Sequence, residues 1–400
     1  MIGLFGGTFD PFHAAHRTLI ECAMDQLPLD RLVVMPVGRP PHKQRRTSFA
    51  AFRHEMALLG TRGLPGVEVS DEEIRTPGVD YSLTTVRRLK ATEAVDELWM
   101  IAGSDVLCTI ESWHRYEELL SEVVLAIARR GDDDMDALYD EANAIEERYG
   151  ARVTFFEMPP SELSGTDIRH ARRPGDCPPD VEAFLDQYKP YTFADDFRSV
   201  TDDQWQRLLD VEEAAWPFMS QYRRVHSASV AQYAARLANI YAVDVVQTAT
   251  AALLHDVAKD MPIADQQKLA EQWIAHVPAT HPWRSLAEDD RLLHALASAE
   301  LARRHLSIEV NDAIAEAIAL HTTAAPGMGT MAQIVYLADK IAFDRTFRRL
   351  GPIRAYAEGG MLAQAMVQCL EEVFEALRRE AVPPHRISVD AHDHFRARLT

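Results

Sequence analysis

A change of hydrophobic rhythm near residue 195 divides this chain into two architectures. Before it, the short apolar runs Ile2–Phe5, Arg31–Pro36, Val67–Ser70, Leu98–Ala102, Val123–Ala128 and Val153–Glu157 alternate with amphipathic stretches such as Ala14–Gln26, Phe49–Leu59, Ser82–Ala91 and Met135–Tyr149. Strand-helix alternation of this kind predicts a parallel α/β sheet covered on both faces. After it, no strand signal remains. Thr201 with Gln204 reads as a capping box opening a helix that stops at Pro217. Seven further stretches with apolar 3.6 periodicity follow, from Tyr222–Tyr241 to Met361–Glu380, so the second half is expected to be all-helical. The predicted domains are 1–194 and 195–400, with Tyr188–Phe197 as the linker.

Charge narrows the function classes. The 400 residues carry 42 basic and 61 acidic side chains, a net −19, which argues against a general nucleic-acid or anionic-membrane binder. The first 53 residues reverse the balance with seven basic side chains against four acidic, a local patch suited to a small anionic ligand. Four cysteines without a Cys-x-x-Cys spacing make no disulfide framework. Neither a signal core nor an apolar run of about 20 residues is present, so the expected location is cytoplasmic. A homo-oligomer is left open.

The first expected strand runs into Gly6-Gly7-Thr8-Phe9-Asp10-Pro11-Phe12-His13-Ala14-Ala15-His16. Paired glycines let the backbone approach a ligand, and the helix that follows offers amide groups and a positive dipole end to phosphate. His13 and His16, three apart, can face the same phosphate and stabilise the charge that develops during nucleotidyl transfer. Gly103 and Asp105 close the strand Leu98–Ala102, where open α/β sheets bind ligands, and Asp105 suits a ribose hydroxyl.

This string resembles the signature of the nucleotidyltransferase superfamily, which implies a Rossmann-like fold and residues 6–9 at a nucleotide. The segment Leu163–Arg169 resembles that family's second signature, which implies that Ser164, Thr166 and Arg169 hold the triphosphate, with Gly165 in place of a serine. Pro36–Lys43 and Trp113–Tyr116 resemble segments of the nicotinate-mononucleotide adenylyltransferases. The resemblance implies that Lys43 holds phosphate, that Trp113 stacks on a pyridine ring and that Thr85 lies near the nicotinate, while Thr84 stands where an aspartate is usual. The implied reaction joins ATP, with Mg²⁺, to nicotinate mononucleotide, giving the deamido dinucleotide and pyrophosphate. Nicotinamide mononucleotide and phosphopantetheine are the alternative acceptors.

In the helical half, His226, His255, Asp256, His294, His321 and Asp339 each fall on or at the end of an expected helix. Six nitrogen and oxygen donors without a thiolate favour iron, manganese or magnesium over structural zinc. Six are too many for one four-coordinate ion and suit two ions that share a carboxylate. The other helical histidines, including His392 and His394, read as structural.

The ordered set resembles the HD phosphohydrolase superfamily, and within it the symmetrical diadenosine tetraphosphate hydrolases of the YqeK-like group. Arg224–Ser227, Leu292–His294, His321–Thr323 and Ile334–Ile341 carry that likeness. The resemblance implies a di-metal centre, iron or else manganese, that cleaves Ap4A into two ADP, with Lys259 and Arg345 facing phosphate. Ala324 stands where glycine is expected, and Ala342–Arg345 departs from the usual Glu-Pro-x-Arg. The alternatives are another nucleotide substrate or a regulatory nucleotide sensor.

Overall fold

A computed structural model describes residues 1–39, 46–78, 81–130, 134–278 and 281–399. The chain separates into two units, Met1–Asp186 and Gln187–Thr400.

In the first unit six strands form one parallel sheet: β1 (Ile2–Gly7), β2 (Arg31–Pro36), β3 (Val67–Val69), β4 (Leu98–Gly103), β5 (Val123–Arg130) and β6 (Arg152–Met158). Their order is β3-β2-β1-β4-β5-β6, so the winding reverses between β1 and β4. Carboxyl ends of strands at such a switch point open a crevice. Gly6-Gly7 and Gly103 stand at its two lips. The apolar runs that predicted the strands are buried, as a sheet covered on both faces requires: Leu32, Val34, Ala126 and Ile127 are fully enclosed. Helix α1 (Ala14–Gln26) follows β1, α2 (Ala50–Thr61) precedes β3, and α3 (Ser82–Glu93) precedes β4.

The glycine-containing string is seated by close contacts. A Cβ on Gly7 would lie 2.7 Å from the ring of Phe9, and one on Gly60 in α2 would lie 2.1 Å from the ring of Phe12. Phe12 is fully buried, so its ring has nowhere to retreat. Gly60→Ala therefore loses more by overpacking than it gains in helix propensity. The expected cost is about 1–3 kcal/mol, read as a fall of a few degrees in the melting temperature of the first unit; unchanged melting would show that Phe12 is not held there. Because His13 follows Phe12, displacement of the ring is passed directly to the histidine.

The second unit is helical. The capping box expected at Thr201 is formed, with Gln204 N–H donating to Thr201 Oγ1 at 3.3 Å and the Gln204 side chain accepting from Thr201 N–H at 2.8 Å. Helix α5 (Gln221–Ile240) is buried along most of its length because its inward positions are small: Ala228, Ala231, Ala234, Ala235 and Ala238 are fully enclosed. It packs against α6 (Val245–Leu254) and against α9 (Thr330–Ile341); α7 (Leu293–Arg304) and α8 (Asp312–Leu320) complete the cluster. No helix among the described residues is long and apolar enough to cross a membrane.

The segment read as a linker, Tyr188–Phe197, is folded instead. It forms the short turns Pro190–Thr192 and Phe193–Asp196 against α5. Gln232 donates to the carbonyl of Lys189 (3.0 Å) and to Thr192 Oγ1 (2.6 Å), Arg236 pairs with the buried Asp196 (3.0 Å), and Asn239 donates to the Asp196 carbonyl (2.7 Å). Pro190 and the aspartate pair suggested an exposed connector because the side chains that bind this segment, Gln232, Arg236 and Asn239, lie some 40 residues later in the chain.

Ala324, at the position where glycine was expected, has φ +55° and is fully buried. The expected glycine thus has a conformational reason, and this chain carries the left-handed turn on a residue with a Cβ.

Candidate active sites

The crevice at the β1/β4 switch point is a cavity of about 530 Å³. Gly6, Gly7 and Thr8 form one lip, Gly103 and Asp105 the other, with His13 and His16 on the floor and Thr85, Trp113 and His114 toward the far end. The two imidazoles stack with centroids 3.6 Å apart and planes 17° from parallel. His13 N–H donates to His16 Nδ1 at 3.1 Å. Because that nitrogen accepts, a neutral His16 carries its proton on Nε2. Rings of Phe5, Phe9 and Phe12 surround it at 5.9, 5.1 and 5.3 Å, which fixes its rotamer.

Not every group expected at the phosphate is available. Ala14 N–H already donates to the carbonyl of Asp176 at 2.9 Å, so the helix start offers fewer amides than the bare string suggests. Phe9 is 1% exposed and lies beneath His16 rather than on the cavity wall. The wall reaches Leu163. Ser164 caps the following helix α4 (Gly165–Ala171) by accepting from Asp167 N–H at 3.1 Å. Arg169 donates to Thr166 Oγ1 at 2.9 Å and to the carbonyl of Asp10, leaving its buried Nε without a partner. A Cβ at Gly165 would lie 3.2 Å from that same carbonyl, which accounts for glycine where serine was expected. Lys43 lies outside the described residues.

In the second unit four imidazoles and two carboxylates meet. His226 comes from α5, His255 and Asp256 from the end of α6, His294 from α7, His321 from the end of α8 and Asp339 from α9. All six are buried, with 5% or less exposed. Their donor atoms fall into three overlapping triads, each within 4.8 Å: His226-His255-Asp256, His255-His321-Asp339 and Asp256-His294-His321. Asp256 belongs to two of them. Its Oδ1 lies 3.3 Å from His321 Nε2 and 3.5 Å from His294 Nε2, and its Oδ2 lies 3.7 Å from His255 Nε2.

The tautomers follow from the neighbours. His255 Nδ1 lies 2.6 Å from the carbonyl of Ala252, and His321 Nδ1 lies 2.7 Å from that of Ile318. A carbonyl only accepts, so each ring carries its proton on Nδ1 and turns the Nε2 lone pair inward. His255 Nε2 and Asp256 Oδ1 are buried without a hydrogen-bond partner. Two orphaned electron-pair donors at the centre of an oxygen and nitrogen cluster fit a divalent cation better than a dry core.

Protonation agrees. Burial alone would push both carboxyls up. The imidazoles around Asp256, and Lys340 with His226 and His255 at Asp339, outweigh it and hold both well below the usual carboxylate range. Burial, aided by His321 and Lys259, pushes His294 well below its ordinary value. Burial works against the charged form of His226 too, but hydrogen bonds to Asp339 and Asp344 prevail and push it up to about 9.

A cytidylyltransferase-like family model matches residues 4–171, and an HD domain model matches residues 223–344. The chain is 37% identical over 169 residues to a probable nicotinate-nucleotide adenylyltransferase of Albidiferax ferrireducens, covering 42% of this chain and 83% of that protein. One from Exiguobacterium sibiricum is 38% identical over 169 residues, covering 42% and 84%. The N-terminal half belongs to the nicotinate-nucleotide adenylyltransferase family. A solved structure described as a predicted HD superfamily hydrolase involved in NAD metabolism, from Clostridium acetobutylicum, is 25% identical and covers 47% of this chain and 96% of its own, with a TM-score of 0.43. The C-terminal half carries an HD domain.

Within the adenylyltransferase half, three contributors were missed in the sequence. Glu73 lines the cavity and accepts from the hydroxyl of Thr85, whereas Thr84 is exposed and off the wall, so a carboxylate reaches this end from a different segment. Ser48 donates through N–H (3.2 Å) and Oγ (2.6 Å) to the buried carboxylate of Asp10. Arg53, fully buried, donates to the carbonyls of Thr8 and Gly38 at 3.2 and 3.1 Å and to that of Val37, tying the ends of β1 and β2 together.

In the HD half, Lys259 lies 2.8 Å from His294 Nε2, and Arg345 lies 2.8 Å from Asp339 Oδ1 and 3.1 Å from His226 Nε2. Both cations expected at phosphate therefore touch the cage. Two more had been overlooked: Arg223 pairs with Asp256 Oδ2 at 2.7 Å, and Lys340 pairs with Asp339.

Proposed function

We propose that the chain is a two-activity enzyme. Its first half transfers an adenylyl group from ATP to nicotinate mononucleotide, and its second half is a metal-dependent phosphohydrolase that splits Ap4A into two ADP. The first reading is carried by the switch-point cavity, which brings His13, His16, Thr85, Asp105 and Trp113 together in a chain of this family. The acceptor phosphate is already anionic, so it needs no general base to attack the α-phosphorus in line as pyrophosphate leaves. His16 Nε2–H and His13 stabilise the charge that develops on the phosphoryl oxygens. Asp105 takes a ribose hydroxyl and Trp113 stacks on the pyridine ring. Arg169 and Lys43 hold phosphate, and Mg²⁺ enters with ATP as part of the substrate.

The second reading is carried by the convergence of six buried donors with His255 Nε2 and Asp256 Oδ1 unpartnered. The residues that would hold two ions are His226, His255, Asp256 and Asp339 on one side and Asp256, His294 and His321 on the other. Iron or manganese bound there activates water and neutralises phosphoryl oxygens. Arg223, Lys259, Lys340 and Arg345 place four cations against the cage, a density suited to a polyphosphate chain rather than to one phosphate.

The test is to purify the chain anaerobically, measure bound metal and assay ATP with three acceptors: nicotinate mononucleotide, nicotinamide mononucleotide and phosphopantetheine. Ap4A is assayed beside them. Preference for nicotinate mononucleotide and release of ADP alone from Ap4A are expected. Formation of AMP with ATP would sink symmetrical cleavage, and a metal-free protein inactive after Fe²⁺ or Mn²⁺ addition would sink the hydrolase.

A further inference from the structure

We propose that Asp344 is the positioning residue that orients His226 for metal binding, an assignment that rests on reading the six-residue cage as a metal centre. Asp344 Oδ2 lies 2.7 Å from His226 Nδ1, and both side chains are buried, 4% and 1% exposed. An ionised carboxylate can only accept, so this contact holds a proton on Nδ1 and turns Nε2, 3.1 Å from Asp339 Oδ1, toward the cage.

The cage imidazoles are not held alike. His255 and His321 are oriented by carbonyls three residues back in their own helices, at Ala252 and Ile318. Those contacts form wherever the helix forms. His226 depends on a side chain 118 residues away. Its ring has the freedom of any histidine in mid-helix until the segment after α9 delivers a carboxylate to it.

That segment is built to deliver it. Ser229, one turn beyond His226 on the same face of α5, donates to Asp344 Oδ1 at 3.2 Å, so the two carboxylate oxygens are gripped separately by one helix. The preceding residue, Phe343, is wedged edge-on against Tyr233 with centroids 5.2 Å apart. Arg236 lies over it at 4.9 Å and Arg354 at 5.8 Å. The following residue, Arg345, donates from Nε to the carbonyl of Asp339 at 2.8 Å. With both neighbours pinned, the Asp344 carboxylate has little freedom to leave Nδ1. A carboxylate here also makes Nε2 a stronger donor than a backbone carbonyl would.

The experiment uses the full chain, made metal-free under anaerobic conditions and titrated with Mn²⁺ while free ion is followed by electron paramagnetic resonance. Far-UV circular dichroism and melting are recorded on every variant. Asp344→Asn keeps the shape and an acceptor oxygen but loses the charge, and its Mn²⁺ affinity is expected to fall about tenfold; Asp344→Ala is expected to lose about a hundredfold. Should the alanine variant not fold, the asparagine variant decides. A purely structural role would lower the melting temperature and leave Mn²⁺ affinity of the folded Asn variant at the wild-type value, and that result overturns the assignment. Wild type that takes up no Mn²⁺ fails differently: it removes the metal centre itself, and Asp344 with it.

Discussion

Asp256→Asn is expected to empty the HD cage and lower Ap4A hydrolysis by roughly a thousandfold or more, the rate equivalent of several kcal/mol of lost charge stabilisation. The size of the effect follows from geometry. Asp256 is shared by two of the three donor triads and is the only carboxylate within 4 Å of the His294 and His321 Nε2 atoms among the described residues. An amide of nearly the same shape preserves packing but presents no anion to an ion, and it leaves Arg223 with Asp260 as its carboxylate partner, at 3.3 Å. Metal content by mass spectrometry and ADP release report the loss, while circular dichroism shows that the fold is retained. An Asn variant that keeps both its metal and its rate would remove Asp256 from the ligand set. Adenylyl transfer by the same preparation is expected to stay at the wild-type level.

The fold was legible because both halves obey local rules strongly. All six strands were readable as short apolar runs, and α1 and the helix Met135–Tyr149 begin and end where periodicity puts them. Other boundaries slipped by one to four residues: β5 runs to Arg130 rather than Ala128, and α6 ends at Leu254 rather than Ala258. The run Ile2–Phe5 continues to Gly7 because Gly6 and Gly7 pair with Met35 and Pro36, and a glycine carries no local strand signal. Tyr188–Phe197 looked like a connector for the same kind of reason. Thr192 and Asp196 are bound by Gln232, Arg236 and Asn239, and nothing in the segment itself announces those partners.

The sites were legible in their donors and not in what orients them. Histidines and aspartates in an ordered series mark a cage, because so many rarely line up on buried helix faces without a charge to share. Asp344 gave no such mark: it lies in a short loop beside a basic residue and reads as a surface pair. Arg53 was counted into the basic patch of the first 53 residues, but it is fully buried and becomes intelligible only once the carbonyls of Thr8, Val37 and Gly38 are seen to converge on it. Phe9 was read as a ligand-binding residue from its place in the motif, and its side chain is buried. Its ring instead shapes the rotamer of His16, so a motif residue can serve the site from beneath.

His16→Ala carries the second large effect, a loss of about 10²–10³ in kcat for adenylyl transfer, the range for removing one donor aimed at developing negative charge. Three features make the residue hard to replace. Its Nδ1 is occupied by the His13 amide at 3.1 Å, its rotamer is set by three phenylalanine rings, and the residue lines the cavity. The donor is therefore preorganised, and its worth is realised as charge builds on the phosphoryl oxygens rather than when ATP first binds. KM for ATP should accordingly change much less than kcat. A fall confined to KM would instead assign His16 to ground-state binding. His16→Gln separates the donor from the ring: its amide N–H can reach toward the phosphate but lacks the planar contact with His13, so partial recovery points to the hydrogen bond, and no recovery to the stacked pair. Ap4A hydrolysis by both variants should match wild type, because all six cage donors belong to the second unit, Gln187–Thr400. Loss of hydrolysis on His16 substitution would mean that the hydrolase depends on the transferase site, and independence of the two activities would have to be abandoned.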